Sequence, residues 1–337
     1  MNKLLTVFTP TYNRQHTIVR TYESLKSQTC KDFKWLIIDD GSTDGTREWV
    51  LSLAGRIEYM PGTFDWMGRL VNESERNDEN HFIMFTDELP IEYVYKQNGG
   101  LYTGYNVAYD IIDTELCVCV DSDDFMPDDA VEKIKSLWGK HYPQGSLSSK
   151  LSVLTAQEYC GIQGLDFDLY TNQPIGGYYP NGLADGCVLQ HLHAGDTKQV
   201  MRTELMRQVA PQVGFYGEKN FNPIYMLINV MDKYPILFLN ENLCVVEYQK
   251  GTDSMSQSIF KQYVNSPRSF AKMRLQEMGL IHNNLKGRFR SAIHYVSSCI
   301  ISKDVNWLRN SSRKLLTICA APFGFFAYLY IMYKNRY

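Results

Sequence analysis

Four small apolar residues, Cys117-Val118-Cys119-Val120, run directly into Asp121-Ser122-Asp123-Asp124. An unbroken apolar run of this length reads as a strand covered on both faces, as in a mostly parallel sheet flanked by helices. Three carboxylates within four positions at its end oppose one another's ionisation. A divalent cation offsets that cost, and hard oxygen donors suit magnesium or manganese. Taken alone, the cluster also reads as a polar strand-to-helix turn, with Asp128 or Asp129 serving the following helix.

The same unit, a buried strand ending in a polar loop, occurs three times upstream. Residues 4–8 read as a strand that leaves through Thr9-Pro10-Thr11-Tyr12-Asn13-Arg14 into a helix over about 15–28. Residues 35–38 close in Asp39-Asp40-Gly41-Ser42-Thr43-Asp44-Gly45, where Ser42 or Thr43 caps a helix running through Trp49 and Leu53. Residues 91–95 lead to Lys96-Gln97-Asn98-Gly99-Gly100 and a helix over about 101–112. A further helix, from Pro127 to Trp138, follows the aspartates. Such alternation implies right-handed crossovers and an α/β, Rossmann-like, doubly wound sheet. Ligands collect at the carboxyl edge of these sheets, and all four polar loops lie there.

Residues 56–88 break the rhythm and read as an inserted flap. Beyond 145 the pattern predicts short strands near 153–155, 176–179 and 187–192, then a helix near 197–209 capped by Asp196. A helix near 221–232 and strands at 236–239 and 244–248 follow. From Ser266 the chain reads as mostly helical.

Charge is unevenly spread. The net value over 337 residues is −3. From Lys286 onward nine Lys and Arg stand against one acid, Asp304, so this tail carries +8 and the remainder −11. The acidic body argues against nucleic acid as a partner, whereas the basic, apolar tail suits an anionic membrane surface. Its core, 315–333, is uncharged for nineteen residues, near the length of a span, and is interrupted by Pro322 and Gly324. A helix pair lying in the membrane interface is expected, with a true span or a tail folded back on the protein as alternatives. The eight cysteines show no CxxC pair and no zinc spacing, which with no secretory signal at Met1-Asn2-Lys3 suggests a reducing cytosol.

Taken together, the Thr9–Arg14, Asp39–Gly45, Asn98-Gly99-Gly100 with Asn106, and Asp121–Asp124 motifs occur in the order found in family 2 glycosyltransferases of the GT-A fold, which this chain resembles. The resemblance continues through Gly195-Asp196, Gly217-Glu218-Lys219 and Glu247-Tyr248 to Ser254-Met255-Ser256, and so to about residue 275. It departs in the 56–88 insertion and in Asn220-Phe221-Asn222. It implies a catalytic domain over 1–265, with a nucleotide-binding half to about 140 and an acceptor half to 265; residues 266–337 are the tail whose charge and apolar run suit a membrane.

The resemblance further implies an inverting transfer of a sugar from a nucleotide sugar, UDP-linked by preference. The acceptor is a glycan or polyprenyl-linked hydroxyl in surface-polysaccharide assembly at the inner face of the cell membrane. Pro10, Thr11 and Arg14 would hold the donor, Tyr12 would stack on its base, and Asp40 would read the base edge. Asn98, Gly99 and Gly100 would line the donor, as would Asn106 unless it faces a neighbouring loop, and Asp121 and Ser122 would line the ribose or sugar. Asp123 and Asp124 would hold manganese or magnesium, and Glu218, after the aromatic loop Phe215-Tyr216, would be the general base. Asp185 and Asp196 are rivals for that role, although Asp196 looks more like a cap. His191 and His193 share a strand face where one could complete a metal site, and Tyr178 and Tyr179 could form a sugar platform. Two other classes remain open. A nucleotidyltransferase would carry a glycine- and basic-rich loop after strand one, which Thr9–Arg14 lacks. A non-catalytic scaffold of a polysaccharide assembly complex is the other.

Overall fold

A computed structural model describes residues 3–53, 55–76, 80–142, 158–191, 193–247 and 259–335. The strand expected at 153–155 and the Ser254–Ser256 motif lie outside these residues. In chain order the elements are β1 (Leu5–Thr11), α1 (Gln15–Lys26), β2 (Phe33–Asp39), α2 (Thr46–Ser52), β3 (Arg56–Tyr59), β4 (Pro61–Phe64), β5 (Leu70–Arg76), β6 (His81–Phe85) and β7 (Pro90–Tyr95). There follow α3 (Leu101–Ile111), β8 (Leu116–Cys119), α4 (Ala130–His141), β9 (Gly161–Asp168), β10 (Asp185–Gly186), β11 (Thr197–Arg202), α5 (Thr203–Val209), α6 (Ile224–Met231) and β12 (Ile236–Val246). The chain closes with α7 (Ile259–Asn265), α8 (Pro267–Gly279), α9 (Leu285–Ser302), α10 (Trp307–Asn310) and α11 (Lys314–Lys334).

These residues group into two compact units. The first comprises 1–99, 103–211 and 234–248, and the second 100–102, 212–233 and 249–337. Residues 212–233 therefore group with the C-terminal helices, not with the strands that precede them.

The first unit is built on a ten-stranded sheet in the order β10-β12-β9-β11-β8-β1-β2-β7-β6-β3. Its centre, β8-β1-β2-β7, is parallel, with Leu5 opposite both Phe33 and Leu116 and Trp35 opposite Ile91. β1 is buried along its whole length, which explains why it reads as continuous apolar and β-branched sequence. Leu5, Val7, Trp35, Ile37 and Val118 form one core with Ile18, Tyr22 and Leu25 of α1.

Five expectations change. The 56–88 insertion is four strands: β6 and β3 extend the main sheet antiparallel from β7, and β4 and β5 form a separate pair. The 197–209 segment begins as a strand, β11, wedged antiparallel between β8 and β9, and turns helical only at Thr203. The ladder bonds on both sides of β11 outweigh its helical pattern. The two strands expected at 236–248 are one, β12, bent by register shifts near Asn242. Residues 187–191 form a turn, and Gly176 and Gly177 both hold positive φ in irregular chain.

In the second unit α8, α9 and α11 enclose a small core of Ala271, Met278, Ala292, Tyr295, Val296, Cys299 and Ala320. Helix α11 continues unbroken through Pro322, where an interruption is expected. It is long and apolar enough to cross a membrane by length and composition, with mean hydropathy 1.8 and 22% of the relevant window buried.

Candidate active site

The carboxyl ends of β1, β2, β7 and β8 deliver four loops to one edge of the first unit, and side chains tie the loops together. Asn13 holds φ +54, and its N–H donates to Ser42 Oγ at 2.9 Å while its Oδ1 accepts from Thr43 N–H at 2.8 Å. Asp40 N–H donates to the carbonyl of Thr11 at 2.9 Å. Pro10 and Thr11 are buried at the end of β1, whereas Tyr12 stands half exposed. A ring presented in this way has a face free for stacking.

Asp39 and Asp40 divide the labour of the second loop. Asp39 is buried and accepts from Tyr93 Oη and Ser42 N–H, both at 2.7 Å, with burial pushing its carboxyl above the usual range. Asp40, expected to read a base edge, receives Lys96 Nζ, Gly99 N–H at 3.0 Å and Thr103 Oγ1 at 3.4 Å, all on Oδ1. Lys96 was not singled out in the sequence, although it directly precedes the Gln97–Gly100 motif. Its ammonium fixes Asp40 and with it the loop that follows β7. Ser42 and Thr43 do not cap α2, whose N-cap is Gly45; the carboxylate of Asp44 just before it accepts from Thr46 N–H and Oγ1.

The glycines behave differently from one another. A Cβ on Gly99 would lie 2.0 Å from the carbonyl of Trp66, so the turn of the inserted hairpin seats directly on this residue. Asn106, expected to face either the donor or a neighbouring loop, faces the loop: it donates from Nδ2 to the carbonyl of Met67 at 2.7 Å and so anchors that turn. Gly100 belongs to the second unit, where its φ is +97 and a Cβ would meet the carbonyl of Lys219 at 2.3 Å. Asn98 is half-buried in the same loop.

The aspartate cluster does not act as a block of three. Asp121 is exposed and Asp123 half-buried, and burial with the charge of Asp121 pushes the Asp123 carboxyl up while the Arg14 guanidinium holds it down. Asp124 is turned inward. Its Oδ2 lies 3.6 Å from Lys198 Nζ, which also lies 3.8 Å from Asp166 Oδ2. Burial pushes the Asp124 and Asp166 carboxyls above the usual range, and the Lys198 ammonium between them pulls both back down. Burial works against the Lys198 ammonium too, but Asp166, Cys244 and Asp124 outweigh it and keep it charged. Asp124, expected as a metal ligand, is thus committed to a buried ion cluster. Ser122 is buried beside it.

Among the described residues no group of three His, Cys, Asp or Glu side chains converges to hold a metal. Two outward carboxylates, Asp121 and Asp123, remain. Such a pair fits magnesium or manganese, which take one or two protein carboxylates and complete their shell with phosphate oxygens and water.

One face of α1 holds the aspartate loop from behind. Arg20 Nη2 donates to the carbonyl of Asp123 at 2.6 Å, and Thr21 Oγ1 to that of Asp124 at 2.8 Å. Ser24 Oγ accepts from Met126 N–H at 3.2 Å, and Gln28 donates to the carbonyl of Pro127 while accepting from Val131 N–H. Arg20 also pairs with Glu247 at 2.7 Å and lies over the ring of Phe125. These polar residues recur at helical spacing, a pattern that reads from sequence as a solvated face.

Glu218 lies in the second unit. Its carboxylate accepts from Arg268 N–H and Nε and from Ser269 N–H and Oγ, at 2.7–3.2 Å. That is the geometry of a helix cap, serving α8 and not the helix at 221–232. Both oxygens are engaged, which leaves the base role expected of Glu218 without geometric support. Asp185 accepts from Tyr159 Oη at 2.8 Å. Asp196 is exposed and precedes a strand, so the cap reading fails for it. After burial, and against the pull of Lys198, the charges of Asp196 and Asp121 add to the upward push on the Asp166 carboxyl. His193 bonds the Gly177 carbonyl through Nε2 at 2.7 Å and Gly195 N–H through Nδ1 at 3.1 Å, a structural role. Tyr179 is buried, and Tyr178 is exposed.

The segment that carries the four loops is the one recognised by comparison. Residues 6–153 match the family described as glycosyl transferase family 2. Validoxylamine A glucosyltransferase of Streptomyces hygroscopicus subsp. limoneus is 46% identical over 56 residues, which cover 16% of this chain and 12% of that protein. The chain therefore spans a small part of the curated relative it matches. Among solved structures, S. aureus TarS 1-349 in complex with UDP-GlcNAc superposes with TM-score 0.54 at 12% identity, covering 98% of this chain and 91% of that one. A longer TarS structure gives 0.53 at 13% identity over 88% of this chain and 43% of that one. At this identity the likeness establishes the fold, a mixed α/β arrangement of the GT-A kind. The matched segment includes every candidate donor and metal residue and excludes Glu218.

Proposed function

We propose that this chain is an inverting glycosyltransferase. It moves a sugar from a nucleotide sugar, UDP-linked by preference, to a hydroxyl of a glycan or lipid-linked acceptor in cell-surface polysaccharide assembly. The observation that carries the reading is the gathering of the β1, β2, β7 and β8 loops at one sheet edge within the segment that matches family 2. TarS, a structural neighbour, is solved with UDP and with UDP-GlcNAc, which supports a donor of that class.

In this reading Tyr12 stacks on the base, and the Asp40–Lys96 pair keeps the loop after β7 in place beside it. Asp121 and Asp123 hold manganese or magnesium, which when bound neutralises the diphosphate of the leaving group. Arg14 adds a fixed positive charge near the same point, and the α1 face keeps the loop from relaxing as charge develops. Asp196 is the better candidate to accept the acceptor proton, because both oxygens of Glu218 are spent on α8 and Asp196 is exposed.

The tail is read as a peripheral contact with the inner face of the cell membrane. In its support, α11 leaves Leu315, Phe323, Phe325, Phe326, Tyr330 and Tyr333 outside, between Lys314 and Lys334. Incubating a panel of sugar nucleotides with manganese and assaying hydrolysis and transfer tests the activity. Release of nucleoside diphosphate from one donor supports it. Pyrophosphate release from a nucleoside triphosphate would instead mark a nucleotidyltransferase.

A further inference from the structure

Helix α11 packs in the reverse of the order usual in a water-soluble core. Its buried residues are Thr317, Ala320, Gly324 and Ile331, three of them small. A Cβ at Gly324 would lie 2.6 Å from Val296, so a larger residue there would push α11 off α9. Its large side chains face outward, Leu315 at 81% exposure and Phe326 at 67%. Small residues inside and large apolar residues outside is how helices pack when hydrocarbon surrounds them.

Beside this helix a cavity of about 400 Å³ opens in the second unit. Its wall is formed by Val296, Cys299 and Ile300 of α9, Val305, Trp307 of α10 and Ala321 of α11. The volume falls in the range of small-ligand pockets, roughly 300–1,000 Å³. Lys303 and Asp304 complete the lining. The carboxylate of Asp304 is already engaged, accepting from Asn306 N–H at 2.8 Å and Asn310 Nδ2 at 3.3 Å. Lys303 is exposed and forms no ion pair among the described residues.

Lys303 also occupies a backbone position with φ +58, directly after α9, where glycine is the unstrained choice. Attraction to the helix terminus accounts for a cation there, but not for an open apolar wall behind it. Arg309, Arg313 and Lys314 add positive charge on the following segment, with no acid but Asp304.

We propose that this cavity takes one acyl chain of an anionic membrane phospholipid, whose phosphate meets Lys303. The proposal rests on the peripheral membrane contact read above and adds to it a defined lipid site. Charge complementarity selects the anionic headgroup, and the apolar wall selects the chain.

The test uses the full chain with vesicles of phosphatidylglycerol carrying bromine on the acyl chains, compared with unbrominated vesicles. Sedimentation reports binding, and tryptophan quenching, with Trp307→Phe as the reference, reports whether a chain reaches Trp307. The proposal expects sedimentation with vesicles and quenching that disappears in Trp307→Phe. It also expects Ala321→Phe to abolish the Trp307 quenching while sedimentation persists. Lys303→Gly relieves the backbone strain, so it should keep or raise Tm while raising the half-saturating lipid concentration about five-fold. Sedimentation without Trp307 quenching overturns the site and leaves the membrane contact standing. No sedimentation, with concentration-dependent self-association, overturns both and assigns the apolar face to a second copy of the chain.

Discussion

The guanidinium of Arg20 donates to the backbone carbonyl of Asp123 at 2.6 Å, so a helix in the first quarter of the chain sets the pose of the aspartate loop. Charge-assisted hydrogen bonds of this kind contribute about 1.5–3 kcal/mol. Arg20→Met should therefore lower kcat about 10- to 100-fold and weaken manganese binding, with Tm lowered by only a few degrees. Arg20→Lys should recover part of the loss. Measuring turnover and manganese affinity on the same samples checks this, and unchanged values for both would contradict it.

Lys198 joins Asp124 to Asp166 in the buried interior of the first unit. Removing the cation leaves two carboxylates buried without it. Lys198→Met should destabilise the fold by about 3–5 kcal/mol by denaturant titration. Pairing it with Asp166→Asn should recover part of that loss, because one uncompensated carboxylate is then gone. Equal stability of wild type and Lys198→Met would show that the cluster is not charged as described.

Glu218 and Asp196 separate by assay. Glu218→Gln weakens a cap and should cost about 1–3 kcal/mol of stability, with turnover of the folded protein changed only a few-fold. Asp196→Asn should lower kcat about 100- to 10,000-fold, the range for loss of a general base, in protein whose circular dichroism matches wild type. The opposite pattern would return the base role to Glu218.

Asp39 gives a pH signature. Burial raises its folded pKa above the model-peptide value of 3.8, so the folded state holds a proton that the unfolded state has released. Its stabilising contribution is complete below that value and is lost as pH rises through the folded pKa. Urea midpoints should therefore show wild type losing stability relative to Asp39→Asn as pH rises from about 4. A difference between the two that stays constant with pH would count against it.

The strand ends and their loops were legible in the sequence because a fully buried strand is apolar along its length, and the polar residues begin where it meets solvent. Residues 5–11 and 33–39 show this directly. The support behind the loops was not legible. Arg20, Thr21, Ser24 and Gln28 act on backbone atoms about a hundred residues away, and nothing in their local pattern distinguishes them from a solvated helix face. The capping readings of Glu218 and Asp196 failed for a related reason. Whether an acid caps a helix depends on which helix begins nearby in space. Asp196 turned out to precede a strand, and Glu218 to serve a helix fifty residues onward. Asp124 was read as a metal ligand beside Asp123 because spacing cannot show that it turns inward to Lys198.

The central claim is that Asp121 and Asp123 bind a divalent cation together with the diphosphate of a nucleotide donor. Calorimetric titration of UDP into wild type and Asp123→Ala, with and without manganese, tests it most directly. The account predicts manganese-dependent UDP binding in wild type, and loss of that dependence in Asp123→Ala at unchanged Tm. Equal, manganese-independent binding in both proteins would contradict it.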